Sequence, residues 1–392
     1  MSTYFRKELF STGALYRKFM NPILSKDEGI DAEILSQISL KIIENISLYR
    51  NLPGLSSILN KISMELQVKD SKLEQNIFGC KFINPVGLAA GFDKNAVGAG
   101  IWDCFGFGFA ELGTITLHKQ LGNPKPRLFR LSKEQAALNR MGFNNNGAKN
   151  ILKSLILQRL PEKSNRKIIL GLNFGKLKRT SLSNAPDEYA ESIQILGDLA
   201  DYIVVNISSP NTPDLRELQN INQLDLLIKR LKQIDKCPPI LIKIAPDLKD
   251  NQIDEIANFA YSEKLAGIIA VNTSINRLGL ENRIIIQSGK TLSEESGGLS
   301  GSPLNKRALE VSRRIHNVTG KNLPLIGVGG IDSPKSAWER ITAGCSLLQI
   351  YTGWIYKGPD LVPQILNSLL SQLDKHGFNN IAEAVGSEAP WI

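Results

Sequence analysis

The sequence has few of the residues on which metal sites and acid–base sites depend. Only three histidines occur among its 392 residues, His118, His316 and His376, and none has the neighbourhood of a metal ligand or a catalytic triad. The four cysteines are far apart and form no CxxC pair, which argues against a disulfide framework and a zinc site and fits a reducing compartment. No carboxylates are paired as glycoside hydrolysis requires. We therefore expect a bound cofactor to supply the difficult step of any reaction.

Long hydrophobic runs are also missing. No stretch approaches the roughly 18 consecutive apolar residues of a membrane-spanning helix, so we do not expect a spanning protein. The N-terminus lacks the apolar core and cleavage site of a signal peptide, and its basic, hydroxyl-rich character suggests a transit peptide only weakly. The formal net charge is +9, but no basic run with interleaved aromatic residues occurs, so we expect no nucleic-acid partner.

Short apolar runs do recur along the chain. Eight runs rich in Ile, Val and Leu span residues 85–90, 107–115, 167–174, 202–207, 239–245, 266–272, 323–330 and 346–351. Such runs are typical of parallel strands that are buried on both faces. Helix-like segments lie between several of them, at 187–199, 222–234, 250–261, 305–318 and 333–343. This alternation predicts an α/β fold, a (β/α)8 TIM barrel, with an open doubly wound sheet as the alternative.

The first 70 residues have a different pattern. Apolar residues recur at helical spacing over 31–49 and 55–66, and Pro53-Gly54 separates the two segments. We predict an N-terminal amphipathic helical segment at 1–70 and a barrel domain at 71–392. The pattern alone favours a helical hairpin packed on the barrel. The alternative is an element that lies on a membrane, which would suit a basic leader that also carries Tyr4, Phe5 and Phe10.

Polar groups follow the ends of the predicted strands. VVNISSPNT at 204–212 places hydroxyls and amides after an apolar run, and GLN at 171–173 and VNT at 271–273 repeat the pattern. In a barrel these ends face one mouth, where active sites are built. GVGG at 327–330 and YTG at 351–353 follow the seventh and eighth runs, where barrels commonly bind phosphate. We therefore predict a polar pocket with a phosphate-binding side.

Two lysines and a set of amides indicate the chemistry of this pocket. Lys243 lies within an apolar strand, where an ammonium group is costly unless it is paired, and a cofactor that is anionic when reduced would supply its partner. Lys94 follows the first strand. Amides that suit a planar imide or pyrimidine come from several segments, at Asn139, Asn173, Asn206, Asn211 and Asn272. Together these groups favour flavin redox chemistry.

Longer motifs carry a specific resemblance. The strings NPVGLAAGFDKN, ELGTIT, NPKPRLFRL, NRMGFNNNG, VVNISSPNTPDLR, IKIAPDL, GGLSGSPL, PLIGVGGI and LLQIYTGWIYKGP occur in that order between about residues 70 and 360. In these strings the sequence resembles the quinone-dependent class of the dihydroorotate dehydrogenase family. The resemblance implies an FMN-containing barrel that oxidises dihydroorotate to orotate in pyrimidine synthesis, with a membrane quinone as acceptor.

The resemblance also implies roles for individual residues. Ser209 would be the base that removes a proton from carbon 5, with Thr212 and Phe143 shaping its relay. The substrate would be held by Lys94, Asn139, Arg140, Met141, Gly142, Phe143, Asn206, Asn211, Asn272 and Thr273. FMN would be held by Ala90, Gly91, Phe92, Asp93, Lys94, Thr114, Asn173, Asn206, Lys243, Val271, Gly301, Gly330, Tyr351 and Thr352. Arg130 and Tyr351 would lie at the inner end of the quinone tunnel, and no metal is expected.

The same resemblance makes the N-terminal segment a tunnel entrance on the membrane, which reverses the preference drawn from its pattern alone. We expect a monomer, peripheral on the cytoplasmic face of a bacterial cell membrane, with the mitochondrial inner membrane as the alternative. Three positions depart from the family: Val271 replaces a common Thr, Asp214 a usual Gly, and Ser36 lies near a frequent His.

Other functions remain open at this point. A fumarate- or NAD-linked relative would carry Cys where Ser209 stands. A flavin barrel that reduces tRNA uridines would suit the positive charge but also uses a cysteine. A non-catalytic protein that binds a membrane surface would keep the fold without binding FMN.

Overall fold

The computed structural model describes residues 11–162 and 166–392. The aromatic and basic residues of the leader before Ser11 therefore lie outside the described residues. The strands are β1 (Gln75–Ile77), β2 (Cys80–Phe82), β3 (Val86–Leu88), β4 (Phe109–Ile115), β5 (Leu128–Leu131), β6 (Ala136–Asn139), β7 (Ile169–Phe174), β8 (Tyr202–Asn206), β9 (Ile240–Ile244), β10 (Gly267–Ala270), β11 (Ile284–Ile285), β12 (Lys290–Thr291), β13 (Gly298–Gly301), β14 (Leu325–Val328) and β15 (Leu347–Ile350).

Eight of these strands close into a parallel barrel, in the order β3-β4-β7-β8-β9-β10-β14-β15, with β15 pairing back to β3. Each of the eight predicted apolar runs contains one barrel strand, so the barrel prediction is confirmed and the open sheet is wrong. The strands are almost entirely buried because side chains on one face fill the barrel and those on the other contact the surrounding helices.

The α-helices are α1 (Thr12–Leu24), α2 (Ala32–Leu48), α3 (Pro53–Leu66), α4 (Ala148–Leu157), α5 (Ala185–Leu196), α6 (Ile221–Leu231), α7 (Asp250–Ser262), α8 (Asn305–Thr319), α9 (Pro334–Thr342), α10 (Thr352–Lys357), α11 (Leu361–His376) and α12 (Ile381–Ala384). Short 3-10 turns include Trp102–Phe105 and Leu215–Gln219. The five helix-like segments predicted between strands correspond to α5 to α9. Their starts follow local signals: Asn220 and Ser333 cap α6 and α9 with their side chains, and Pro334 occupies the first turn of α9.

A β-hairpin seals one end of the barrel. β1 and β2 pair antiparallel just before the first barrel strand, and their aromatic residues cover the amino ends of the strands. Phe82 makes an edge contact with Phe109, which begins β4, and Phe78 makes one with Tyr202, which begins β8; the ring centroids are 5.3 and 5.4 Å apart. Because this end is filled by apolar side chains, the open mouth is at the carboxyl ends of the strands.

A second small sheet lies above the open mouth. β5, β6 and β13 form an antiparallel sheet of three strands with its own apolar cluster, which includes Phe129, Leu138 and Leu299. These strands come from the loops that follow β4 and β10. The sequence pattern did not reveal this sheet, because its strands are short and β13 lies far from its partner β6 in the chain, as in the pairing of Gly298 with Asn139.

The N-terminal helices α1, α2 and α3 pack along this sheet and the barrel. The tyrosine hydroxyl of Tyr16 donates to the Ile355 carbonyl at 2.5 Å, and Ser132 Oγ donates to the Leu24 carbonyl at 2.8 Å. Leu59 on α3 packs with Ile101 and Cys104 of the barrel. The predicted pair of helices at 31–49 and 55–66 thus corresponds to α2 and α3, whereas α1 was not predicted.

Replacing Phe82 by Ala should destabilise the fold strongly. Its side chain is fully buried in the aromatic plug, the cluster by which the β1–β2 hairpin seals the amino end of the barrel, and a cavity would remain. We expect a loss of about 3–5 kcal/mol in the free energy of unfolding, measured by urea denaturation. The exposed Leu226→Ala variant is the control and should change stability by less than about 0.5 kcal/mol. Equal stability of Phe82→Ala and wild type would contradict the plug.

Candidate active site

One cavity of about 430 Å³ occupies the open mouth and continues outward to α2. The predicted site residues that line it are Ala90, Gly91, Phe92, Asp93, Lys94, Thr114, Asn139, Met141, Gly142, Phe143, Asn206, Ser209, Asn211, Lys243, Val271, Asn272, Thr273, Gly301, Gly330, Tyr351 and Thr352. Residues from α2, including Ser36, Gln37 and Leu40, form its outer wall. Arg130, Arg140 and Asn173 are not part of the lining. The tertiary fold therefore brings most of the predicted site residues to one cavity, although they are spread in the chain from Ala90 to Thr352.

Buried amides form a connected hydrogen-bond network at the base of the cavity. Asn206 Nδ2 donates to Thr114 Oγ1 at 3.0 Å and to Asn173 Oδ1 at 3.2 Å. Asn272 Nδ2 in turn donates to Asn206 Oδ1 at 3.2 Å. Asn173 lies one layer below the lining, where it orients the other groups. The network fixes which edge each amide presents to the cavity.

The loop after β8 carries Ser209 into the cavity. Ser209 Oγ accepts a hydrogen bond from the Asn211 backbone N–H at 3.3 Å, and Asn211 Nδ2 donates to the Asn139 carbonyl at 3.2 Å. Thr212 Oγ1 is buried and has no hydrogen-bond partner among the described residues. Of the hydroxyls in this loop, that of Thr212 is the one without a hydrogen-bond partner among the described residues.

Arg216 holds this loop from behind. Its guanidinium donates to the Ser208 carbonyl at 3.0 Å and the Thr273 carbonyl at 3.1 Å, and it pairs with Asp247 at 2.9 Å. Asp214 adopts φ +58°, in the left-handed region that glycine favours and aspartate tolerates. Asp214 therefore adopts a backbone conformation that glycine at this position would also allow.

The two predicted lysines have different environments. Lys243 Nζ lies 3.6 Å from Glu111 Oε1, and both side chains are buried. A carboxylate of the protein thus pairs with this ammonium, and a reduced cofactor as a further partner stays a prediction. Glu111 also accepts hydrogen bonds from Asn173 Nδ2 at 2.7 Å and from Gln349 Nε2 at 2.5 Å. Those two bonds satisfy much of the hydrogen-bonding capacity of a fully buried carboxylate.

Lys94 has an amide partner and no carboxylate within hydrogen-bond reach among the described residues. Its Nζ donates to Asn144 Oδ1 at 2.9 Å. Burial, together with the charge of Arg127, lowers the pKa of Lys94 to about 8. The neighbouring Asp93 carboxylate accepts from the Val97 and Gly98 N–H groups and from the Trp102 indole, so it shapes the turn that carries Lys94.

The glycine-rich turn after β14 forms another wall. Gly329 and Gly330 adopt φ +99° and +71°, and a Cβ atom at Gly330 would lie 2.5 Å from the Asn305 backbone. Arg340 supports the turn from behind, with its fully buried guanidinium donating to the Val328 carbonyl at 3.2 Å and the Gly329 carbonyl at 3.0 Å. Burial lowers the pKa of Arg340 to about 10.

Three further predicted residues differ in their position relative to the cavity. Arg130 is buried and donates through Nη2 to the Ile30 carbonyl at 2.7 Å, while its Nε and Nη1 have no partner among the described residues. Arg140 forms an ion pair with Glu295 and lies over the Phe129 ring, 4.9 Å from its centroid. Tyr351 lines the cavity, and burial raises its pKa to about 12.

Sequence reasoning missed several supporting residues: Glu111, Asn144, Arg216, Arg340 and Gln349. Glu111 had a detectable signal, because a carboxylate within the apolar run FGFAELGTI is as costly as Lys243 within its own run. Arg216 and Arg340 had none, since each lies in a helical or turn segment where an arginine is ordinary. No group of His, Cys, Asp and Glu within residues 11–162 and 166–392 is arranged to hold a metal.

The chain is similar to dihydroorotate dehydrogenases over nearly its whole length. Residues 72–373 match the family model described as dihydroorotate dehydrogenase. The dihydroorotate dehydrogenase (quinone) of Prochlorococcus marinus is 59% identical over 384 residues, which cover 98% of each chain. That of Nostoc punctiforme is 50% identical and covers 95% of this chain and 98% of its own. The structure of DHODH from Eimeria tenella in complex with ferulenol has a TM-score of 0.78 and 34% identity, over 92% of this chain and 96% of that one.

Removing the Glu111 charge should leave the buried Lys243 ammonium uncompensated. We expect Glu111→Gln to lower the free energy of unfolding of the cofactor-free protein by about 3 kcal/mol. Adding Lys243→Met should recover part of this loss, because the unpaired charge is then gone. Urea denaturation of the two single variants and the double variant measures this, and simple addition of the two losses would argue against a coupled pair.

Proposed function

The chain belongs to the dihydroorotate dehydrogenase family, and we propose that it oxidises (S)-dihydroorotate to orotate in de novo UMP synthesis, with a quinone as electron acceptor. The observation that carries this proposal is the convergence of Ser209, the amide set and two lysines on one cavity. Relatives named as dihydroorotate dehydrogenase (quinone) match 98% and 95% of the chain, which includes most of its N-terminal segment. Serine at position 209 also distinguishes the chain from the fumarate- and NAD-linked relatives, which would carry cysteine there.

FMN is the flavin that we assign to the cavity, and the residues present fit it. The cavity size lies within the range of about 300–1,000 Å³ that small-molecule sites occupy. Backbone turns without side chains at Gly329 and Gly330 leave room for a phosphate, and the buried cation of Arg340 lies behind them. The same cavity is lined by the ammonium group of Lys243, the amide of Asn206 and the hydroxyl of Thr114. When bound, FMN would supply the redox chemistry: it would take up the hydride from carbon 6 of the substrate, and its two electrons would then pass to the quinone.

The pyrimidine would be held by the amide groups that surround Ser209. Asn139, Asn206, Asn211 and Asn272 offer both donors and acceptors, which match the imide edge of the substrate. Lys94 would bind the substrate carboxylate. The pKa of Lys94 is about 8 without ligand, so its cation predominates at neutral pH and an anionic ligand stabilises it further.

Ser209 would act as the base toward carbon 5. Its hydroxyl must lose its own proton as it accepts the one from carbon, so a relay is required. Thr212 Oγ1 suits that relay, because it is buried on the same loop and has no other partner among the described residues. Phe143 also lines the cavity, where its apolar ring would help to exclude water.

The outer part of the cavity would admit the quinone. The wall formed by α2 contains Leu40 as well as polar groups, and the inner part contains Tyr351. Arg130 has two buried guanidinium nitrogens without a partner among the described residues. It lies outside the cavity lining, so a quinone carbonyl would reach these nitrogens only after the wall of the cavity moves. This arrangement supports our assignment of residues 1–70 as a segment that forms the tunnel entrance and residues 71–392 as the catalytic domain.

The outer face of α2 is apolar and exposed. Ile34, Ile38 and Ile42, spaced by four residues, are 49, 53 and 55% exposed, and Leu52, Ile58 and Met64 add to the surface on and near α3. We propose that this face lies on a membrane, as a monomer, at the cytoplasmic face of a bacterial cell membrane. No α-helix of the described chain is both long and apolar enough to cross a bilayer.

The experiment that tests the proposed reaction is anaerobic reduction of the bound flavin by dihydroorotate, followed by reoxidation with a short-chain ubiquinone. Wild type should lose its flavin absorbance and then reduce the quinone. Ser209→Ala should retain FMN but lose its absorbance about 10²–10⁴-fold more slowly, because the base is missing. Ser192→Ala removes a buried serine on α5 outside the cavity and should behave as wild type.

Three outcomes would contradict the proposal in different ways. Flavin that stays oxidised in wild type would show that dihydroorotate is not the substrate. If the flavin of Ser209→Ala were reduced at the wild-type rate, the proposed reaction would stand but Ser209 would be excluded as its base. Turnover with fumarate in place of quinone would support the other class of the family.

Charges placed on the exposed face of α2 should release the protein from membranes. The Ile38→Glu/Ile42→Glu variant loses two side chains whose burial is worth about 1.5–3 kcal/mol each, so binding to anionic phospholipid vesicles should weaken by at least about tenfold. The Leu226→Glu/Tyr261→Glu variant introduces the same charge at exposed apolar positions of α6 and α7 and is the control. Equal vesicle binding by both variants, measured by sedimentation, would exclude α2 as the membrane face.

A further inference from the structure

A buried ion pair joins the N-terminal segment to the turn before β5. Glu33, in the first turn of α2, accepts two hydrogen bonds from Arg127, one from Nε at 2.9 Å and one from Nη2 at 2.7 Å. The two residues are only 3 and 6% exposed. Burial opposes ionisation of Glu33, but the hydrogen bonds and charge of Arg127 outweigh it and hold the pKa of Glu33 below its usual range.

The other side of Arg127 reaches the substrate site. Its Nη1 donates to the carbonyls of Leu121 and Asn123, both at 2.7 Å. Asn123 Nδ2 donates in turn to the Arg140 carbonyl at 2.8 Å and to the Asn211 carbonyl at 3.3 Å. A continuous series of hydrogen bonds therefore runs from α2 through Arg127 and Asn123 to the loop that carries Asn211 and Ser209.

The geometry around Asn123 leaves it little freedom to move independently. A Cβ atom at Gly142 would lie 2.8 Å from the Asn123 side chain, so this amide is wedged against the segment that carries Met141 and Phe143. The Arg127 carbonyl also accepts from the Arg140 N–H at 2.9 Å. A shift of the Arg127 turn would therefore displace two walls of the substrate pocket together.

We propose that Glu33 and Arg127 are positioning residues for the substrate site: α2, through this pair, sets the position of the Asn123 amide and thereby of the Asn211 loop. This inference rests on the proposed function. Without Glu33 the buried guanidinium has no anionic partner, and it leaves its present place to recover one or to reach water. The carbonyls of Leu121 and Asn123 then lose their donor, and the substrate loop loses its support.

Electrostatics adds a second effect in the same direction. Burial is the main cause of the lowered pKa of Lys94. The charge of Arg127 lowers this pKa further, and the charge of Glu33 raises it. Glu33 thus helps to keep Lys94 cationic for an anionic ligand. Lys125 also lies 3.6 Å from Glu33, on the exposed side of the pair, and Lys41 and Glu44 of α2 line the same cavity.

A second tie between the N-terminal segment and the barrel provides the matched control. Asp27 accepts from the Ser132 N–H at 2.7 Å and pairs with Arg283. Arg283 also pairs with Glu134, at 2.9 Å. Among the described residues this tie has no hydrogen bond to Asn123 or to the Asn211 loop. A substitution at Asp27 therefore weakens the attachment of the N-terminal segment but leaves the hydrogen bonds through Arg127 and Asn123 in place.

The test uses the FMN-loaded full-length protein without quinone. Orotate affinity is measured from the change that orotate causes in the flavin spectrum, and the limiting rate of flavin reduction is measured with saturating dihydroorotate. Glu33→Gln should raise the orotate Kd about tenfold and change the limiting rate by less than about twofold. Asp27→Asn should leave both quantities within about twofold of wild type.

Asn123→Ala tests the route itself. It should weaken orotate binding, and adding Glu33→Gln should weaken it little further, because both changes interrupt one series of contacts. Glu33→Asp keeps the charge but shortens the side chain, so it should raise the orotate Kd less than Glu33→Gln does. It replaces Glu33→Gln in the test if that variant folds poorly. Rescue of this kind would not occur if Glu33 acted only as a packing residue.

Several results would overturn the inference. These are an orotate Kd that is unchanged in Glu33→Gln, an equal rise in Asp27→Asn, or full additivity of Glu33→Gln with Asn123→Ala. If wild type itself fails to bind orotate and its flavin stays oxidised with dihydroorotate, the proposed function fails and this inference fails with it.

Discussion

Closure of the barrel with one end sealed is the constraint on which the rest of the structure depends. Parallel strands bring all their carboxyl ends to one side, and the β1–β2 plug fills the other end with Phe78 and Phe82. The polar residues that follow the strands therefore have a single place to converge. The small sheet of β5, β6 and β13 then covers part of the mouth and narrows it to a cavity.

Polar groups in that cavity are held by other polar groups that never reach the lining. Asn173 orients Asn206 and Thr114, Glu111 pairs with Lys243, Arg216 holds the Ser209 loop, and Arg340 holds the glycine turn. Each buried charge in this layer has hydrogen bonds to the protein, because an unpaired charge in the barrel would be costly. The site is therefore preorganised before any ligand arrives.

The N-terminal segment serves two environments at once. Its inner side contributes Ser36, Gln37 and Leu40 to the cavity, and its outer side exposes Ile34, Ile38 and Ile42. A helix that only packed on the barrel would bury these isoleucines. The buried Glu33–Arg127 pair ties the segment to the turn before β5.

The sequence by itself determined the barrel, since eight Ile-, Val- and Leu-rich runs separated by amphipathic segments admit few other packed arrangements. It also determined most of the cavity lining, because residues such as Asn206, Lys243 and Asn272 stand at strand ends, and motif resemblance assigned them expected roles. Only the tertiary structure decided what supports them. Asn123, Arg127 and Arg340 act through partners 35 to 94 residues away in the chain, as in Asn123 with Asn211, Arg127 with Glu33 and Arg340 with Asn305. No local pattern records such pairings, because hydrophobic periodicity reports which face is buried and not which polar group lies opposite it.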